Sequence, residues 1–162
     1  MSKPSLITRR ARREDFPRLV ELWRGMIDEH FAIDARFEPS AGGNEAYLKY
    51  LHETLGQMDT QILVAESSGR VVGYTIATVF ANPPVFALPQ YGYIGELAVE
   101  EASRGAGVGR ALWEAARAWL TRRGITVVQL NVSPLNQSGQ KFWRSLGFSD
   151  FLHVLWYDMP GS

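Results

Sequence analysis

The 162-residue chain contains no cysteine, which removes disulfides, thiolate metal sites and a cysteine nucleophile together. It also lacks a net charge, with 17 Lys and Arg against 17 Asp and Glu. No global field draws it to nucleic acid or to an anionic membrane, so neither is an expected partner, and any anion site has to be built locally. No stretch approaches the roughly 20 consecutive apolar residues that span a bilayer. The opening MSKPSLITRRARRED lacks the apolar run of a secretory signal, and a cytoplasmic location is the expectation. Histidine is scarce: His30, His52 and His153 stand at no metal-ligand spacing, so no metal is expected. Internal repeats, low-complexity tracts and interdomain linkers are likewise missing, which favours a single domain over 1–162. What is present is ordinary globular material, 46% apolar and 21% charged, long enough to build one good core.

The periodicities read in order as strand, two helices, three strands, helix, strand, helix, strand. SLITRRA is a short strand. REDFPRLVELWRGMIDEHF places Phe16, Leu19, Val20, Trp23, Met26 and Ile27 at helical spacing, with Pro17 in the first turn where proline is tolerated. EAYLKYLHETLGQM is a second helix with Leu48, Leu51 and Leu55 on one face. TQILVAESSGRVVGYTIATVF is a hairpin turning at Ser67-Ser68-Gly69, and ANPPVFALPQ is loop. YGYIGELAVE is a strand, and 107–123 a third helix stopped by Gly124. ITVVQLNV has the continuous apolar run of a buried central strand. NQSGQKFWRSLGF is a fourth helix capped by Asn136, and FLHVLWYDM a last strand. The expected architecture is α+β, a three-layer α/β/α domain around a mixed, mostly antiparallel central sheet, with one crossover through the third helix. A final strand at the sheet edge would let two copies pair as a homodimer.

SRGAGVGRAL, residues 103–112, puts three glycines at alternate positions between a strand and a helix. Two readings compete: a tight turn, and a cradle for an anion. First-turn amides of a helix have no internal partner and point along its axis, glycines allow close approach to the backbone, and successive amides form an anion nest. Arg104 and Arg110 flank the loop. A P-loop is excluded because Gly109 is followed by Arg110 and Ala111. A dinucleotide fingerprint fails at Arg110 or at Leu112, depending on which glycine starts it, and no acidic residue follows at the ribose distance.

RGAGVG, Arg104 to Gly109, resembles the signature of the GNAT superfamily of acyl-CoA-dependent N-acyltransferases: Arg or Gln, two residues, Gly, one residue, Gly or Ala. YIGELAVEEASRGAGVGRALWEAARAWLTRRG is similar to that family's strand, pyrophosphate loop and helix. ITVVQLNVSPLNQSGQKFWRSLGF is similar to the strand and helix that follow, including Asn136 and the terminal LGF. The resemblance is most specific over 93–148 and extends to nearly the whole chain.

The resemblance implies a sheet splayed between its fourth and fifth strands and an acetyl-CoA site. The backbone of Leu97, Ala98 and Val99 would pair with the pantetheine arm. Amides of Arg104, Gly105, Ala106, Gly107, Val108, Gly109 and Arg110 would hold the pyrophosphate, and Asn136 would contact the arm near the thiol. The implied activity is acetyl transfer from acetyl-CoA to a primary amine of a small molecule or a peptide, by direct attack in a ternary complex. The competing class is a noncatalytic acyl-CoA-binding regulatory module.

An alkylammonium must lose its proton before it attacks a thioester. Glu96, on the strand before the loop, is where several family members place that base. The oxyanion formed on attack needs a donor, and the Val99 amide is the candidate. Where the family often has a tyrosine to protonate the leaving thiolate, this chain has Trp143, whose indole is no acid; Trp143 is expected to pack against cofactor or core. Ser138, Tyr91, Tyr93 and Tyr157 are the unranked substitutes. The acceptor would be shaped by 25–45, where Asp28, Glu29, His30, Asp34 and Glu38 suit a cationic amine, and by 81–92, where Val85, Phe86 and Leu88 offer apolar cover.

Overall fold

A computed structural model describes residues 5–161. The chain divides into two compact units, the first ending at Asn131 and the second beginning at Val132. The first holds β1 (Leu6–Arg10), α1 (Phe16–Ile33), α2 (Gly43–Thr54), β2 (Thr60–Ser67), β3 (Arg70–Ala81), β4 (Gln90–Val99), α3 (Val108–Arg122) and β5 (Val128–Leu130). The second holds α4 (Gln137–Ser145).

The sheet runs β1-β2-β3-β4-β5. Its first four strands are antiparallel neighbours, and β5 joins β4 in parallel after the α3 crossover. The β2–β3 hairpin closes through Ser68 and Gly69, both at positive φ (51° and 77°). That pair of left-handed residues gives the turn whose twist matches the strands.

Each face of the sheet is covered by the helices whose apolar stripes the sequence carries. Phe16, Leu19 and Leu22 of α1 and Tyr47 and Leu51 of α2 pack on Ile62, Val64, Val71, Tyr74, Ile76 and Ala98. On the other face Val108 and Leu112 of α3 meet Ala65 and Val72. Fully buried side chains such as Phe16, Leu19 and Leu51 each contribute roughly 1.5–3 kcal/mol. The three-layer α+β expectation holds within this unit.

Two strand expectations do not hold. The run 125–132 forms only the three-residue β5, half-buried at the sheet edge, instead of a long buried central strand. Pairing ends at Ile94↔Leu130. The very next residue of β4, Gly95, is a bulge: the register with β3 jumps from Ile76↔Glu96 to Ala77↔Ile94. A bulge bends its strand, so β4 leaves β5 at that point. The splay expected between the fourth and fifth strands therefore has a local cause.

The final stretch, 151–159, forms neither helix nor strand. Its apolar residues, Leu155 and Val154 among them, are exposed. Alternation makes a strand only where a neighbouring edge supplies the ladder hydrogen bonds, and among the described residues no strand pairs with this one. The homodimer expectation loses the strand it rested on.

Candidate active site

The bulge at Gly95 decides which way Glu96 faces. Before it, Gly92 lies on the α3 side, where a Cβ would stand 2.9 Å from Leu120. Side chains alternate with period two, so an unbroken strand would put residue 96 on that same side. After the bulge the parity is reversed. Leu97 and Val99 pack on the α3 cluster, Ala98 joins the core under α1 and α2, and Glu96 points to α2.

There the Glu96 carboxylate meets two phenols. Tyr74 Oη donates to Glu96 Oε2 at 2.8 Å, Tyr47 Oη makes a very short hydrogen bond to the same oxygen, and the two hydroxyl oxygens lie 2.8 Å apart. Thr75 Oγ1 fixes the backbone by donating to the Glu96 carbonyl at 2.7 Å. Burial pushes the Glu96 carboxyl up from its ordinary range, and the two tyrosine donors pull it only part of the way back. Both phenols are held neutral, chiefly by their own burial.

The triangle of oxygens has a consequence for protons. An ionised Glu96 leaves two phenolic protons for three close contacts. A protonated Glu96 supplies the third, and each oxygen can then donate once and accept once around the ring. The ring of three contacts is fully satisfied only when Glu96 Oε2 carries a proton.

Beyond the bulge one edge of β4 has no strand beside it among the described residues. Glu100 N bonds Val72 O of β3 at 2.8 Å, so by alternation Ala98 also directs its backbone to β3, and Leu97 and Val99 direct theirs to the open side. Of the three expected edge residues, Leu97 and the amide of Val99 face the open side without a strand partner among the described residues, and Ala98 serves as core. The Val99 carbonyl takes a hydrogen bond from Arg104 Nε at 3.2 Å.

The glycine loop follows. Gly105 and Gly107 sit at φ 75° and 87°, a region strained for any residue with a Cβ, and a Cβ at either would face open space. Gly107 is the N-cap of α3. Among the described residues, the amides of Gly105, Ala106, Gly107, Val108, Gly109 and Arg110 make no close, well-directed backbone hydrogen bond. The first that does is Ala111, to Gly107 O at 3.0 Å. The cradle reading therefore has its row of donors. The Val108 side chain is buried, so that residue offers its amide alone. The Arg104 amide, expected in the row, is instead spent on Glu101 O at 3.1 Å; its guanidinium is tied to Glu29 at 2.7 Å, and Arg110 is exposed on the first turn.

In the second unit, Asn136 caps α4 by accepting from Gly139 N at 2.9 Å. A Cβ at Gly139 would lie 2.6 Å from Asn136 Nδ2 and push the capping side chain aside. Trp143 packs edge-on against Phe142 and Phe148 at 4.9 and 5.3 Å. Of the substitutes for an acid, Ser138 donates to Asn136 Oδ1 at 3.1 Å, Tyr91 and Tyr93 pack on Phe80, and Tyr157 is exposed. The acids of 25–45 are mostly neutralised: Asp28 pairs with Arg24, Glu29 with Arg104 and Asp34 with Arg36.

Sequence reasoning missed Tyr47 and Tyr74. Tyr47 precedes Leu51 by one helical repeat, so the buried stripe of α2 is Gly43, Tyr47, Leu51 and Thr54, with Leu48 and Leu55 at its flank. That spacing was available; the link to Glu96 was not.

Residues 19–148 match the sequence model of a family described as the Acetyltransferase (GNAT) family. The chain belongs to that family. A mycothiol acetyltransferase from Thermobispora bispora is 37% identical over 89 residues, covering 53% of this chain and 29% of that protein, so the chain spans under a third of that relative's length. Among solved structures, a tetramutant of the BH1408 protein from Bacillus halodurans superposes with a TM-score of 0.82 at 19% identity, covering 94% of this chain and 99% of the other. A predicted acetyltransferase from Clostridium acetobutylicum, solved with acetyl-CoA, gives 0.77 at 22% identity, with 95% and 96% covered. These likenesses establish the fold. They agree with the membership that RGAGVG and the flanking elements point to.

Proposed function

We propose that this chain is an acetyltransferase domain over 1–162 that moves the acetyl group of acetyl-CoA to a primary amine of a small molecule or peptide. Attack is direct, in a ternary complex. The observation that carries this reading is the Glu96 ring: a half-buried carboxylate with phenol donors and no cationic partner among the described residues, on the strand that runs from a bulge into an amide-lined loop.

The residues present fit the cofactor. Its diphosphate suits the amides of 105–110, where hydrogen bonds to a charged group are worth about 1.5–3 kcal/mol each and the helix dipole adds less. Its amide-bearing arm suits the free edge at Leu97 and Val99. When bound, acetyl-CoA supplies an acyl thioester open to attack. Glu96 Oε2 takes the ammonium proton, directly or through water, and the ring with Tyr47 and Tyr74 accommodates it. The Val99 amide, turned away from β3, is the donor toward the acyl oxygen. For Asn136 and Trp143 as cofactor residues, the support is family membership alone. No group is assigned to protonate the leaving thiolate.

Titration calorimetry with acetyl-CoA, paired with thiol release across a panel of amines and short peptides, tests the reading. The expected result is binding, turnover on at least one amine, and a Glu96→Gln variant that binds but does not turn over. Binding without turnover on any acceptor would favour the regulatory module, and absence of binding would sink both.

A further inference from the structure

Next to the Glu96 ring, Trp23, Pro39, Ser40, Gly43, Ala46, Tyr47 and Tyr50 line an open hollow of about 300 Å³. That is the lower end of the small-molecule range, roughly 300–1,000 Å³. The indole of Trp23 stacks on Tyr47 at 4.6 Å and 9°, and Tyr50 tilts against Tyr47 at 5.7 Å. The lining is aromatic and apolar, apart from the Ser40 hydroxyl and two phenols. The Tyr47 hydroxyl is already spent on Glu96 and Tyr74.

Gly43 keeps the hollow open. It is buried, and a Cβ would come 3.2 Å from the Trp23 ring, so its bare backbone lets α2 lie against the indole with no side chain between. Tyr47 is wall to the hollow and hydrogen-bond partner to Glu96 at once. The charge of Glu96 also reaches Tyr50 and adds to the upward push that burial gives its phenol. The hollow and Glu96 thus meet at Tyr47.

Three of the four acids that would favour a polycation are engaged elsewhere, and the fourth, Glu38, is not part of the hollow's lining. Asp28, Glu29 and Asp34 each hold an arginine at 2.6–2.8 Å, and none of them lines the hollow. A flat apolar group stacks well on aromatic walls, and an acceptor with several ammonium groups would find no free carboxylate lining them.

We propose that this hollow binds the body of the acceptor, and that the acceptor is a monoamine whose single amino group is carried on a flat, apolar ring system. The proposal rests on the acetyl-transfer reading and names the acceptor class for it. The ring lies against Trp23 and Tyr50, and the amino group extends past Tyr47 to Glu96 Oε2, which takes its proton.

The test measures kcat/KM with saturating acetyl-CoA for 2-phenylethylamine and for spermidine, in the wild-type chain and in Ala46→Trp. Ala46 is an exposed helical position on the hollow wall, so tryptophan there fills the space without entering the core. A thermal melt and acetyl-CoA calorimetry on the variant check that fold and donor site persist. The expected result is at least a 10-fold preference for 2-phenylethylamine, with KM for that amine raised at least 10-fold by Ala46→Trp and the spermidine rate altered less than 2-fold. Binding is checked independently by saturation-transfer NMR with coenzyme A present, in which the ring protons of 2-phenylethylamine should be the most strongly saturated and the signal should vanish in Ala46→Trp. A preference for spermidine, or an Ala46→Trp effect equal on both amines, overturns the acceptor assignment and leaves acetyl transfer standing. Absence of acetyl-CoA binding together with no turnover on either amine overturns both.

Discussion

Two carboxylates of the first unit, the buried Asp15 and the half-buried Glu96, behave in opposite ways. Asp15, at the start of α1, takes both arms of Arg9 at 2.8 and 2.9 Å and the Arg12 amide at 2.7 Å. The Arg9 guanidinium holds its carboxyl below the ordinary range, against the opposing effect of burial. Glu96 receives only neutral phenols, and burial carries it up. The difference is the partner's charge. A cation cancels the cost of desolvating the anion, whereas neutral donors cancel part of it and leave a carboxylate that binds a proton more readily. Asp15 is thereby locked as structure, tying α1 to β1, and Glu96 is left able to do chemistry.

The contrast breaks most visibly through activity. Glu96→Gln keeps an oxygen for the two phenols and removes the carboxylate proposed as base, so turnover should fall about 10²–10⁴-fold with acetyl-CoA affinity held, read by thiol release and calorimetry. Asp15→Asn should do the reverse. Loss of one partner from a buried ion pair costs about 3 kcal/mol, read by denaturant unfolding, with the kinetics of the folded fraction intact. Tyr47→Phe sharpens the comparison by removing one neutral donor. A donor to the charged form lowers a carboxyl's pKa, so its loss pushes Glu96 further up. The rising limb of the rate–pH profile should move to higher pH, and Tyr74→Phe should move it the same way.

How much of this was legible in the sequence depends on the distance over which each feature is determined. The glycine loop, the strand before it and the helix after it are consecutive, so their spacing carried the cradle and the place of Glu96. The four helices and the hairpin turn at Ser68-Gly69 follow from local periodicity and left-handed residues. The Glu96 ring brings together residues 47, 74 and 96 through three separate elements, a juxtaposition no local pattern encodes. The bulge at Gly95 was equally hidden: a glycine in a strand announces a possible bulge, but only pairing against β3 reveals that it reverses the side chains beyond it. The acids of 25–45 misled for the same reason. Their sign was legible, and the arginines that neutralise them were not weighed, although Arg24 precedes Asp28 by one helical repeat and Arg36 follows Asp34 by two residues. The stretch 151–159 had a strand's composition without the neighbouring edge that would make it one.

The smallest effect separates the two carboxylates by the sign of their pH dependence. Asp15 binds its proton less tightly in the folded chain than in the unfolded one, so its stabilisation is present above the unfolded pKa, 3.8, and is lost as pH falls through the lower folded value. Glu96 binds its proton more tightly when folded. Its favourable contribution is present below the unfolded value of 4.5 and is lost as pH rises through the raised folded pKa. Between those two values the unfolded chain has released the proton and the folded chain still holds it, so the slope of stability against pH is negative, at most about 1.4 kcal/mol per unit. Glu96→Gln carries no such proton. Denaturant midpoints of wild type and Glu96→Gln, followed from pH 4 to pH 8, should therefore diverge in favour of the variant as pH rises and then run parallel once Glu96 is ionised in both states. For Asp15→Asn the gap to wild type should be constant above about pH 5 and narrow as the pH falls below that. Curves for Glu96→Gln that stay parallel to wild type throughout would mean that Glu96 titrates as a solvated carboxylate, and its claim to be the base would go with the burial that supports it.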